Sequence, residues 1–131
     1  MSYALIKAVR VGKSDFVKFL LDAGERPAPS EHLLHLAVSR DDVLTASYLL
    51  PFISNINEQD NDGNTPLHLC NSEEMAKLLL RQNPQLNLLN NDEQLAHETI
   101  KDKLASLYVE AAYNKLYNRK AEDSYEDDDL K

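Results

Sequence analysis

The feature that most constrains this chain is the run Asp62-Gly63-Asn64-Thr65-Pro66-Leu67-His68-Leu69-Cys70, in which a turn sits directly against a helix start. Gly63 can take the positive φ of a tight turn at no steric cost. Pro66 suits the first turn of a helix, where the missing N–H would have no partner anyway. Leu67 then opens an apolar face.

The chain supplies near copies on both sides. Thirty-three residues upstream of Leu67-His68 stands Leu34-His35-Leu36-Ala37, followed by Ala46, Tyr48, Leu49 and Leu50 in position for a second helix. Earlier still, Leu5, Ala8, Val9 and Gly12 precede Phe16, Val17, Phe19, Leu20, Leu21 and Gly24 in the same order, without the Thr-Pro-Leu-His start. Downstream, Asn87 to His97 opens a further unit with Glu93 at the glycine position and Ala96 at the proline position.

These registered copies resemble the ankyrin-repeat family, whose Thr-Pro-Leu-His-x-Ala signature is met at Thr65 to His68, with Cys70 replacing alanine. The resemblance covers residues 3–100 and is strongest over 33–88. It implies an all-α solenoid of three to four stacked helix-turn-helix repeats with β-hairpin fingers and a helical C-terminal cap. The implied repeats span about 1–27, 28–60 and 61–90, with a degenerate cap over 91–120 and the first repeat acting as an N-terminal cap. Ile56 to Gly63 is similar to the family's Val-Asn-x-x-Asp-x-x-Gly hairpin. The stretch from His68 to Lys77 is about three residues short of the family pattern, so the third repeat lacks the usual loop between its helices. Ser72 is expected to cap its second helix, with Glu73 and Glu74 in the first turn, where carboxylates favour the helix dipole. Leu67, Leu78 and Leu79 are expected to be buried between the second and third repeats.

From Ala96 to Arg119 there is no Gly or Pro, and Leu104, Leu107, Tyr108, Ala111, Leu116 and Tyr117 recur at helical spacing. The pattern fits one unbroken helix. It equally fits two, with a turn near Lys101-Asp102-Lys103 and Tyr108, Val109, Ala111 and Ala112 packed inward. Residues 121–131 carry six acids and little apolar surface, and read as a mobile acidic tail. Ser124 and Tyr125 are candidate modification sites there.

The net charge of −8 is unevenly spread. Residues 1–26 hold five basic and three acidic side chains, whereas 27–100 hold three basic and eleven acidic. That balance does not suit a nucleic-acid surface and favours a protein partner with a basic patch; it also serves plain solubility. The single Cys70, at a small helix position, reads as a core thiol in a reducing compartment. No apolar run approaches the roughly 18 residues of a membrane span, and no leader pattern opens the chain. The expectation is a cytoplasmic protein without membrane contact, with the nucleus or delivery as a secreted effector as alternatives. It would act as a monomer or as a subunit of a hetero-complex.

The chemistry-bearing motifs are absent: no Gly-rich phosphate loop, no Gly-x-Ser-x-Gly, no His-Glu-x-x-His, no cysteine pair. His35 and His68 sit where the family places a structural imidazole; His32 and His97 occupy the neighbouring Thr and Leu positions. Asp41-Asp42 and Glu73-Glu74 are adjacent in sequence and so diverge in space. The expectation is no enzyme, no cofactor and no metal. The resemblance implies a concave face built from finger tips and first helices as the binding surface. Its positions outside the structural pattern are Lys7, Leu36, Leu69 and Thr99 on the inner wall, with Leu36 and Leu69 side by side and facing solvent. At the tips they are Ala28, Pro29, Glu31, Asn61, Asp62, Asn64, Asn91, Asp92 and Gln94. Function then reads as a protein-interaction module, or alternatively as an acidic inhibitor masking a basic active site or nucleic-acid-binding surface. Deleting residues 121–131 is expected to leave the melting temperature and helical circular dichroism unchanged, since that segment adds no core.

Overall fold

A computed structural model describes residues 3–117, and the acidic segment with Ser124 and Tyr125 lies outside them. The helices come in pairs: α1 (Tyr3–Val11) with α2 (Ser14–Asp22), α3 (Leu33–Ser39) with α4 (Val43–Leu49), a 3-10 helix (Pro66–Leu69) with α5 (Glu73–Leu80), and α6 (Ala96–Thr99) with α7 (Lys103–Tyr117). First members pack in the order α1, α3, Pro66–Leu69, α6, and second members in the order α2, α4, α5, α7. Each pair is therefore one repeat in a two-layered stack.

The first two pairs turn on one left-handed residue, and the last three cap their outer helix with a side chain. After α1, Gly12 takes φ 80° and its N–H bonds back to the Ala8 carbonyl; after α3, Asp41 does the same job at φ 57°. The next residue or two caps the outer helix: Asp42 Oδ1 accepts from the Thr45 N–H at 3.2 Å, Ser72 Oγ from Met75 at 3.1 Å, and Asp102 Oδ2 from Ala105 at 3.0 Å. The short third repeat turns on Asn71-Ser72, as its length demanded. Its inner helix is a single 3-10 turn rather than an α-helix. Residues 96–117 form two helices, not one.

The core runs between the layers through Leu5, Val9, Val17, Val38, Leu49, Met75, Leu79 and Val109, all essentially inaccessible to solvent. Leu67 joins it, whereas Leu78 is only half-buried, packed against the core from its edge. On α7 the inward face is Ala105 and Val109 with Ala112 and Tyr113. Tyr108 and Ala111 lie further round the helix and are exposed. The first repeat does not present the polar outer face of a cap: Phe16 and Phe19 of α2 are both exposed.

Among the described residues there is no strand, so the fingers are turns without a ladder. Each is closed by two backbone bonds. Gly63 N–H donates to Asp60 O and Asp60 N–H to Asn64 O, and Glu93 to Asn90 and Asn90 to Gln94 repeat the pair at 2.9–3.0 Å. This is a type I turn followed by one left-handed residue. Gly63 fills that position at φ 79° and Glu93 at φ 61°.

Leu79→Ala should cost about 2–5 kcal/mol and Leu78→Ala only about 1 kcal/mol, since the first opens a cavity and the second trims a half-wet surface. Urea unfolding of the two variants measures the contrast.

Candidate interaction surface

The fingers are ordered from inside by one side chain each. Asp60 Oδ1 accepts from the N–H groups of Asp62 and Asn64, and Asn90 Oδ1 from those of Asp92 and Gln94, at 2.9–3.0 Å. Asn90 is buried and also donates from Nδ2 to Asn64 Oδ1 and Gln94 Oε1. The thirty-residue spacing of Asp60 and Asn90 was the available signal for this role, which the sequence reading did not assign.

The fingers also lie on each other. Asn91 N–H donates to Asp62 O at 2.9 Å, Asn91 Nδ2 to Asn61 O at 3.0 Å, and Gln59 Nε2 to Leu89 O at 2.8 Å. A Cβ on Gly63 would come within 2.6 Å of the Asn91 backbone nitrogen, so glycine is needed here for space as well as for φ. At the equivalent Glu93 no further finger follows among the described residues, and a side chain is tolerated.

Three of the four tip amides are thus engaged within the stack. Asn64 Oδ1 and Asn91 Nδ2 bond the neighbouring finger, Gln94 Oε1 accepts from Asn90 within its own, and Asn61 contributes only its carbonyl while the residue stays exposed. Glu31 Oε1 accepts from Ala28 N–H at 3.0 Å and shapes the turn that Pro29 opens. Thr99 donates its hydroxyl to His68 O at 2.6 Å, tying the last inner helix to the third repeat. Exposed at the tips are the side chains of Asp62, Asp92 and Glu93. On the inner wall Lys7 is exposed, but Leu36 and Leu69 are half-buried against the core rather than facing solvent. Each presents an edge, not a whole side chain.

Behind the fingers stand two histidines. His35 Nε2–H donates to both the Glu58 and Asn64 carbonyls, at 2.9 and 3.0 Å. His68 Nδ1 accepts from the N–H and hydroxyl of Thr65, which fixes its proton on Nε2, and that N–H donates to Gln94 O at 2.9 Å. Burial lowers both pKa values, against carbonyl hydrogen bonds that would raise them. His32, in place of Thr65, has φ 50° and no cap bond; its Nδ1 lies 3.9 Å from Glu58 Oε2 in a cleft of about 60 Å³ bordered by Ala28, Pro29 and Phe52. Cys70 is buried with its thiol pushed up to about 11 by desolvation, a packing group rather than a nucleophile. No cluster of three or more metal-ligating side chains occurs among the described residues, and no helix there is long and apolar enough to cross a membrane.

A family model described as ankyrin repeats (3 copies) matches residues 5–92. Over 65 residues the chain is 40% identical to the ankyrin repeat protein FPV031 of fowlpox virus, an alignment covering 47% of this chain and 19% of that protein. Over 94 residues it is 34% identical to the ankyrin repeat-containing protein P1E11.10 of Schizosaccharomyces pombe, covering 68% of this chain and 45% of the relative. The chain spans less than half the length of either.

Because both histidines resist protonation when folded, the unfolded chain binds more protons below its ordinary histidine pKa of 6.5. Their contribution to stability is therefore complete above that value and is lost as pH falls through it toward the depressed folded values. Urea midpoints taken from about pH 7.5 down to about 5.5 should fall, and a His35→Gln, His68→Gln double variant should flatten that slope.

Proposed function

The chain belongs to the ankyrin-repeat family, whose repeats are generally protein–protein interaction modules, and we propose that it docks a protein partner non-catalytically on its concave face. The observation that carries this reading is the pair of half-buried leucines, Leu36 and Leu69, at equivalent positions on adjacent inner helices, together with the exposed Asp62, Asp92 and Glu93 at the finger tips. Apolar edges supply area that a partner can dry. The charged rim selects orientation and speeds encounter, which favours a partner whose matching segment is apolar with basic flanks. Lys7, at the other end of the wall, would meet an acidic group of the same partner.

The bonded tip amides narrow the proposal. Asn64, Asn91 and Gln94 serve the stack, so recognition falls to Lys7, Leu36, Leu69, Asn61, Asp62 and Asp92. The rim also supports a second reading, an acidic inhibitor that masks a basic active site or nucleic-acid-binding surface. In that case charge, not the leucine edges, would dominate affinity. No cofactor or metal is needed in either, and the reading carries no enzymatic step.

Capture from a source lysate with quantitative mass spectrometry should lose the same proteins when Leu36→Ser and Leu69→Ser are combined, with folding verified by circular dichroism. Binding should tolerate about 0.5 M salt if the leucines dominate. An Asp62→Asn, Asp92→Asn variant that loses everything while the leucine variant loses nothing would transfer the assignment to the inhibitor.

A further inference from the structure

The four outer helices can be counted from their capping positions, Lys13, Asp42, Ser72 and Asp102. The third residue after each is Phe16, Thr45, Met75 and Ala105. The last three are 0% exposed, whereas Phe16 is 45% exposed. The sixth residue is Phe19, Tyr48, Leu78 and Tyr108, and its neighbour across the junction is the fifth residue of the preceding repeat. Lys77 Nζ sits 5.1 Å from the Tyr108 ring, and Lys18, ion-paired to Asp22, also lies within electrostatic reach of Tyr48. Positions three and six are one helical turn apart and share a side. That side of an outer helix therefore faces the repeat before it.

In the first repeat nothing among the described residues covers it. Phe16 and Phe19 stack on one another instead, centroids 6.1 Å apart and planes 12° from parallel. The inner layer agrees. Four residues before Ala37, Cys70 and Ile100 stand Leu33, Pro66 and Ala96, all buried, while Ala4, four before Ala8, is exposed. The open end thus carries apolar side chains in the very slots that close every internal junction. An apolar repeat face invites a further repeat to stack on it, and among the described residues nothing covers this one.

We propose that this end is a stacking surface for the last repeat of a second copy of the chain, joined head to tail. The far end supplies the complement. At the fifth position, which meets the sixth of the following repeat, the first three repeats carry Lys18, Ser47 and Lys77, but the fourth carries Leu107, 51% exposed. A head-to-tail pair sets Leu107 against Phe19, apolar on apolar. Charge agrees in sign: residues 3–26 hold five basic and three acidic groups, and residues 91–117 hold five acidic and three basic. Unlike ends attract, while two first repeats face to face would repel. The contact is heterologous, so each bound copy leaves one live end and assembly continues with concentration.

Sedimentation of the full chain from roughly ten to several hundred micromolar should give a mass that rises beyond two copies. Phe19→Glu and Leu107→Glu, both at exposed positions, should each weaken association at least about tenfold with unchanged circular dichroism. Mixed in equal amounts they should form a pair and stop there, because each retains one intact end. Should either glutamate unfold the chain, Phe19→Ser and Leu107→Ser give the same arms. A wild-type chain monomeric throughout overturns the proposal. So does a mixture that stays monomeric, or a Leu107→Glu chain that associates like wild type while Phe19→Glu does not, which would mean a symmetric pairing of first repeats.

Discussion

Everything in this stack depends on hydrogen bonds that point forward, from the inner helix of one repeat to the finger of the next. His35 holds the carbonyls of Glu58 and Asn64, and His68 holds that of Gln94. Thr99 answers in the other direction by donating to His68 O. Each finger satisfies most of its own N–H groups, while the carbonyls of Glu58, Asn64 and Gln94 are met by an imidazole of the repeat before. Order in each repeat is borrowed from the one beside it. The depressed histidine pKa values follow from the burial of this position, against the carbonyl bonds themselves.

The sequence was most readable where backbone geometry selects the residue. Gly63, Pro66, Ser72 and the paired histidines each occupy a conformation or a bond that few side chains can supply, and the structure puts each to the expected use. The turn that divides residues 96–117 was legible as one of two alternatives, and Asp102 capping α7 decided it. Legibility failed where rotation about a helix decides exposure. Leu78, Leu36 and Leu69 differ from their buried neighbours only by their angle to the core. Tyr108 and Ala111 likewise fell outside the inward face. No local pattern reports an angle set by packing partners.

The binding surface was harder to read for a different reason. Asn61, Asn64, Asn91 and Gln94 look like adaptable recognition groups when only their exposure is inferred. Asn64 and Asn91 find partners in the adjacent finger and Gln94 within its own, and sequence order does not reveal that a polar group is already satisfied. Asp60 and Asn90, which organise both fingers, escaped for the same reason. The expected positions that remain open are one lysine, two leucine edges and a rim of carboxylates.

The single 3-10 turn at Pro66–Leu69 has a consequence for cooperativity. A one-dimensional array unfolds piecemeal when its units are intrinsically stable and weakly coupled, and all at once when the reverse holds. The third repeat has no inner α-helix of its own, since four residues of 3-10 geometry do not nucleate one, so α5 leans on the junctions for its inner partner. Lying in the middle of the array, it removes any resting place at which the N-terminal repeats remain folded beside a third repeat that has lost its neighbour. The shortened loop thereby acts as a coupling element. It welds two halves, each too small to persist, into one thermodynamic unit.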